Sequence, residues 1–273
     1  YTADQLSTTH PINADITDLD AASQNFDGIT YAKGASVLKQ LVHHVGVEKF
    51  FAGARSYFRE LAYGSATLDD LLRHLERSSG RSLSDWSDAW LRTSGLDTVL
   101  PELHVDDGRI TDLTIVRDSV DARTGQPANR PHTLAVGLYN LDDDVLTRSE
   151  LVEVDITSPR TPVKAVTGHR VPDLVLINDE DFSYAKVRLD EGGTDVALDH
   201  LSDLDEPLAR ALLWSVLWNA VRDAKLSVDS YLKAVASHAG KETDPAILGQ
   251  VLGQARQAVS SYLPQQAVPH ARH

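Results

Sequence analysis

The apolar residues of this chain change their spacing twice, and this constrains its fold more than any other feature. From Gly28 to about Leu96 they recur at helical intervals; from about Leu100 to Leu189 they alternate; from Asp195 the helical interval returns. A period of 3.6 residues buries one stripe of a helix, and a period of two buries one face of a strand. The spacing therefore predicts three successive units, bounded at 1–100, 101–192 and 193–273. A length of 273 residues is enough for two or three domains.

In the first unit Leu38, Leu41, Val42 and Val45 form one stripe, which Gly46 is placed to end. Val47, Phe50, Phe51, Ala54, Phe58 and Leu61 form a second, closed by Gly64. Thr67 with Asp70 resembles a capping box before Leu68, Leu71, Leu72 and Leu75. Ser84 is a candidate cap for a short helix bearing Trp86, Trp90 and Leu91 that stops at Gly95. Short connections make these antiparallel helices, with their large side chains in the core.

The second unit offers strands at Leu103–Val105, Ile110–Val116, Thr133–Leu138, Val145–Val154, Leu174–Ile177 and Ala185–Leu189. Many short strands with polar turns predict a small antiparallel β-sandwich. Arg117 to Pro131 carries no periodicity and reads as a surface loop, and Gly192-Gly193 reads as a linker. In the third unit Leu208, Ala211, Leu212, Ser215, Trp214 and Trp218 share a helix. Ser227 can cap the next, bearing Tyr231, Leu232 and Val235, and Asp244-Pro245 can open a third along Ile247, Leu248, Val251, Leu252 and Ala255. Such paired helices can begin an α-solenoid; the polar tail Pro264 to His273 should fray.

Composition excludes several classes of partner. A net charge of −14 opposes nucleic-acid binding. No apolar run approaches the ~20 residues of a membrane span, and the start lacks a basic-then-apolar leader. The absence of cysteine fits a reducing compartment, so a cytoplasmic location is expected. The absence of methionine predicts an internal or C-terminal piece of a longer protein.

Eleven histidines invite a search for metal ligands. His43 and His44 are adjacent, so on a helix they point about 100° apart and cannot share an ion. His270 and His273 lie in the tail, and the rest are scattered. The chain alone supplies no zinc site. The acidic turn Asn140-Leu141-Asp142-Asp143-Asp144 has Val145 and Leu151 where a calcium loop needs glycine and glutamate, so it reads as a hairpin turn. There is no G-x-S-x-G elbow and no phosphate-binding loop.

Tyr31 is the remaining candidate. A tyrosine at a helix start is most often half-buried, with its hydroxyl bonded. Lys33 reads as a solvent-facing charge, and Gly34 as a residue with a packing reason to be small. Projected from a rigid helix start, however, the phenol could donate a hydrogen bond to a forming oxyanion.

The segment Phe26-Asp27-Gly28-Ile29-Thr30-Tyr31-Ala32-Lys33-Gly34-Ala35-Ser36-Val37-Leu38 resembles the tyrosine segment of the M1 zinc aminopeptidases. Ser7-Thr8-Thr9-His10-Pro11-Ile12 resembles the stretch preceding it in that family. Tyr57-Phe58, Gly64 to Leu71, Trp86, Trp90-Leu91 and Gly95-Leu96 are similar to the end of the catalytic domain. Leu174 to Asp181 and Tyr184 to Arg188 are similar to the last strands of the family's β-sandwich. The likeness runs through essentially the whole chain and is greatest to actinobacterial members.

The resemblance implies a multidomain fold of α and β parts. Residues 1–100 would be the helical C-terminal part of a thermolysin-like catalytic domain, 101–192 a β-sandwich and 193–273 the start of an α-helical superhelical domain. It implies that Tyr31 stabilises the tetrahedral intermediate as zinc-bound water attacks the first peptide bond of a peptide substrate. The family's His-Glu-x-x-His helix, its general-base glutamate and its Gly-x-Met-Glu-Asn motif have no counterpart here. The intact parent would hold zinc, and this piece would bind none and be inactive. The competing expectation is a non-catalytic M1-like scaffold or interaction module, which has no need of the full tyrosine motif.

Overall fold

Residues 1–263 are described by a computed structural model, and the expected frayed tail at Pro264–His273 lies outside them. Five helices open the chain: α1 (Leu19–Gln24), α2 (Gly34–Val45), α3 (Val47–Glu60), α4 (Leu68–Ser79) and α5 (Ser84–Leu91). Local chemistry sets their ends. Gly46 turns α2 into α3 at a φ of +90°. Thr67 and Asp70 form the reciprocal capping box of α4, and Gly80 closes that helix in the left-handed conformation. Ser84 is the first helical residue rather than the cap; Leu83 holds the cap position without a side-chain bond, and its N–H donates to Glu76 Oε1 at 2.6 Å.

Val37, Leu41 and Val45 of α2 meet Leu72 and Leu75 of α4 and Trp86, Trp90 and Leu91 of α5 in one core. The apolar stripe expected for α3 does not join it fully: Phe51 is 54% exposed and Phe58 72% exposed. The reason lies at Gly53, the buried position of α3, where a Cβ would come within 2.7 Å of Ser78 Oγ and 2.9 Å of Leu75 Cδ2. Close approach at this glycine turns its own face to α4 and rotates Phe51 and Phe58 outward.

Seven strands follow: β1 (Asp97–Asp106), β2 (Arg109–Asp118), β3 (His132–Asp142), β4 (Val145–Ile156), β5 (Arg160–Pro162), β6 (Leu174–Ile177) and β7 (Ala185–Val187). They form two sheets, ordered β5-β2-β1-β7 and β4-β3-β6. The three-residue β5 is too short to show periodicity. The sheets are not wholly antiparallel, since β1 and β7 run parallel. The chain leaves one sheet with β6 and enters the other with β7, crossing through a turn that Asn178 clamps by bonds to the Ser183 backbone at 2.7 and 2.9 Å. The acidic turn is a hairpin, with Asp143 and Asp144 both at positive φ between β3 and β4.

Helices α6 (Glu191–His200), α7 (Pro207–Arg222), α8 (Val228–His238) and α9 (Pro245–Gln257) complete the described chain. Gly192-Gly193 is no linker, because both residues lie in the first turn of α6. Asp190 caps that turn by accepting from the Gly193 N–H at 2.8 Å. Ser227 and Asp244 cap α8 and α9. The buried face of α7 is set by Leu213, Trp214, Leu217 and Val221 rather than by Leu208 or Ser215. The three-stranded sheet is a middle layer. Val175 and Ile177 of β6 enter the core shared with the other sheet, and Leu174 and Leu176 enter the core shared with the helices.

The segment expected as a surface loop, Arg117 to Pro131, is anchored inside. Arg130 is fully buried; its guanidinium pairs with Asp97 and donates to the Ser94 carbonyl at 2.7 Å. His132 Nε2 lies 2.9 Å from the second Asp97 oxygen, and its Nδ1 lies 2.7 Å from Ser183 Oγ. With Nε2–H donated to the carboxylate, Nδ1 accepts from the serine. All these groups are buried, so the serine–histidine–aspartate row clamps β1, β3 and the crossing turn together.

Two outcomes follow from these contacts. A Cβ at Gly137 would sit 2.2 Å from Asp179 Oδ2, which Tyr139 and Arg148 hold by hydrogen bonds, and 2.8 Å from the Tyr139 ring. Gly137→Ala should destabilise the protein by about 1–3 kcal/mol, measured by urea unfolding. Burial pulls the Asp97 carboxyl up, but the hydrogen bond from His132 and the charge of Arg130 outweigh it and hold it below the ordinary range. Its stabilisation is therefore present above the unfolded value of about 4 and lost as pH falls through the lower folded value. Asp97→Asn should cost about 3 kcal/mol or more at pH 7. That difference from the unaltered protein should shrink as unfolding is followed below pH ~4.

Candidate functional site

Asp27 organises the turn that presents Tyr31. Its carboxylate accepts from the N–H groups of Ile29 at 2.8 Å and Thr30 at 3.2 Å, and its carbonyl accepts from the Tyr31 N–H at 3.1 Å. The Thr30 hydroxyl reaches back to the Asn25 carbonyl. Residues Ile29–Lys33 then form a π-helical turn that runs directly into α2. Such wide turns recur at functional sites because they re-aim side chains. His10 braces Asp27: its Nδ1–H donates to the Pro11 carbonyl at 2.8 Å, and its Nε2 lies 3.2 Å from the Asp27 carboxylate. Burial nudges the Asp27 carboxyl up, but the Thr30 and Ile29 N–H groups and His10 together hold it below its ordinary value.

The turn has two faces. Ile29 and Lys33 point inward and are buried, whereas Tyr31 is 57% exposed. The Tyr31 ring meets the edge of Phe26 with centroids 4.9 Å apart and planes at 89°. Among the described residues its hydroxyl has no hydrogen-bond partner. The ordinary packing role of a tyrosine, half-buried with its oxygen satisfied, is therefore not what this position shows. The phenol is rigidly based, outward-facing and free to donate.

Lys33 is not the solvent-facing charge that its position suggests. Its ammonium lies 2.9 Å from Asp4 Oδ2, donates to the Gly95 carbonyl at 2.7 Å and sits 5.7 Å from the centre of the Tyr184 ring. Burial lowers its proton affinity, and Asp4 opposes that shift. Gly34 has no tight neighbour, since a Cβ there would meet only Ile12 Cγ2 at 3.9 Å. Asp4 and Gly95 carry no periodic or motif signal that would have marked them as supports of this turn.

Among the described residues several histidines are packed or bonded. His43 stacks on Phe182 at 3.7 Å, and His74 and His238 bond to Ser56 and Ser202. Among the described residues no group of three or more His, Asp or Glu side chains could hold a metal ion. A zinc ion therefore does not fit the described residues. Nor is any described helix long and apolar enough to cross a membrane.

Asp27→Ala should remove the acceptor of two helix-start N–H groups and cost about 1 kcal/mol. Thermal unfolding reads that loss, and amide exchange at Ile29 and Thr30 should rise with it.

Residues 1–90 match the model of the peptidase family M1 domain, and residues 174–272 match that of the ERAP1-like C-terminal domain. Aminopeptidase N of Streptomyces lividans is 47% identical over all of this chain, which covers 32% of that protein. Tricorn protease-interacting factor F2 of Thermoplasma acidophilum is 26% identical over 97% of the chain, covering 33% of the relative. Glutamyl aminopeptidase of Bitis rhinoceros is 36% identical over 37% of the chain and 11% of its own length. The chain thus spans about a third of the length of the relatives it matches from end to end.

Proposed function

Because the chain belongs to the peptidase M1 family, we propose that it is the C-terminal portion of a zinc-dependent aminopeptidase, which removes the N-terminal residue from peptides. In this reading α1–α5 end a thermolysin-like catalytic domain, the two sheets are its β-sandwich domain, and α6–α9 begin an α-helical superhelical domain. Zinc, its ligands and the general base belong to the remainder of the parent protein. The piece alone has no peptidase activity. The parent acts on peptides in the cytoplasm and binds neither nucleic acid nor membrane.

The observation that carries the reading is Tyr31: an exposed phenol, unpartnered among the described residues, on a turn fixed from beneath by Asp27 and Lys33. When water adds to the carbonyl of a scissile peptide bond, negative charge collects on the carbonyl oxygen. A phenol O–H already aimed at that oxygen donates to it without reorganising, and the gain is larger in the transition state than in the substrate. Peptide substrates place such a carbonyl beside the N-terminal residue. The tyrosine stabilises charge and does not itself form a bond.

Zinc content and hydrolysis of an aminoacyl-nitroanilide, measured on the intact parent and on this chain, test the reading. The parent should bind zinc and cleave, and the isolated chain should do neither. A parent without zinc or cleavage would point instead to a non-catalytic M1-like scaffold. In the parent, Tyr31→Phe should lower kcat by about 10²–10³ while KM changes less. An unchanged kcat would remove Tyr31 from the reaction.

A further inference from the structure

Lys33 stands two residues from Tyr31 on the same turn, and the two side chains leave it in opposite directions. The ammonium has found two directional partners on the inner side, the Asp4 carboxylate and the Gly95 carbonyl. Both are themselves pinned. Asp4 also accepts from Thr9 Oγ1 at 2.7 Å, from the Gly95 N–H at 3.1 Å and from the Tyr184 hydroxyl at 3.2 Å. Gly95 stands at a φ of +83°, and a Cβ there would lie 2.9 Å from the Ala122 Cβ, so its place is fixed by the loop beneath it.

One peptide unit before Gly95, the Ser94 carbonyl accepts from Arg130, which pairs with Asp97; Asp97 in turn holds His132. A continuous row of buried polar contacts thus runs from the Tyr31 turn to the strands. We propose that Lys33 is a positioning residue for Tyr31, its buried ammonium tying the seat of the phenol to the β-sheets through Gly95 and Asp4. The claim rests on the catalytic reading of Tyr31. An oxyanion donor works only within a few tenths of an ångström of its target, and a turn held by apolar packing alone slides more readily than one held by two directed charge-assisted bonds.

Lys33→Met, which keeps length and removes charge, tests the claim in two ways. In the 273-residue chain, amide exchange at Tyr31 should rise about tenfold or more, while amides of the β3–β4 hairpin stay unchanged. In the intact parent enzyme, kcat should fall about tenfold or more with KM within about twofold. The double variant Lys33→Met/Asp4→Asn leaves no unpaired buried charge; it should recover thermal stability but not kcat. Unchanged exchange at Tyr31, or a double variant that restores kcat along with stability, would overturn the proposal. If the unaltered parent hydrolyses nothing, the Tyr31 reading fails, and the exchange measurement alone still decides whether Lys33 holds the turn.

Discussion

A buried carboxylate has to be answered, and at Asp4 four separate segments answer it. Thr9, Lys33, Gly95 and Tyr184 each bring a donor to a side chain with almost no access to water. Moving any one of these segments outward would leave the charge short of a partner, at a cost of several kcal/mol. The N-terminal stretch, the Tyr31 turn, the end of the helical region and the start of β7 are therefore held in one relation. The second buried carboxylate, Asp97, does the same for β1, β3 and the loop carrying Arg130. Ser94 and Gly95 are consecutive, so the two nodes are joined by a single peptide unit.

Much of the architecture outside these nodes was legible from local signals. Leu38 to Val45, Thr67 with Asp70, Ser227 and Asp244 each predict a helix or its start, and each does so through neighbours within a few residues. Leu174–Ile177 has the limits its four apolar residues suggest. Arg130 reads as part of a solvated loop and Lys33 as a solvent-facing charge because each takes its place from a partner far away in sequence. Phe51 and Phe58 fail for a related reason, since the face that α3 buries was set by close contact at Gly53 and not by the larger residues. Gly192-Gly193 reads as a linker although its cap, Asp190, is local.

The candidate site divides in the same way. The segment from Asp27 to Gly34 announces a helix start bearing a tyrosine, and the turn has that form, with Asp27 as acceptor for its first N–H groups. What holds the turn could not be read there. Asp4 and Gly95 lie 29 and 62 positions from Lys33 in the chain; Asp4 carries no pattern, and the helix end that Gly95 marks does not point to Lys33. Gly34, which invited a packing explanation, has no tight neighbour, since a Cβ there would meet only Ile12 Cγ2 in ordinary contact. The presenting residues are thus sequential and visible, and the supporting residues are dispersed and silent.

Stability alone does not explain why a cation is buried under Tyr31. Replacing a buried ion pair by well-packed apolar side chains is often neutral or stabilising, and desolvation already works against the Lys33 charge. What an apolar pair cannot supply is direction. Each bond from the ammonium fixes a distance and an angle to a group on another element, whereas dispersion contacts tolerate sliding. Misplacing a reacting group by about 1 Å can cost about 10² in rate, far more than such a shift costs in folding. A site with one exposed phenol and no second group on its own turn to correct its aim gains from such a constraint, and the inward side of that turn is where the chain supplies it.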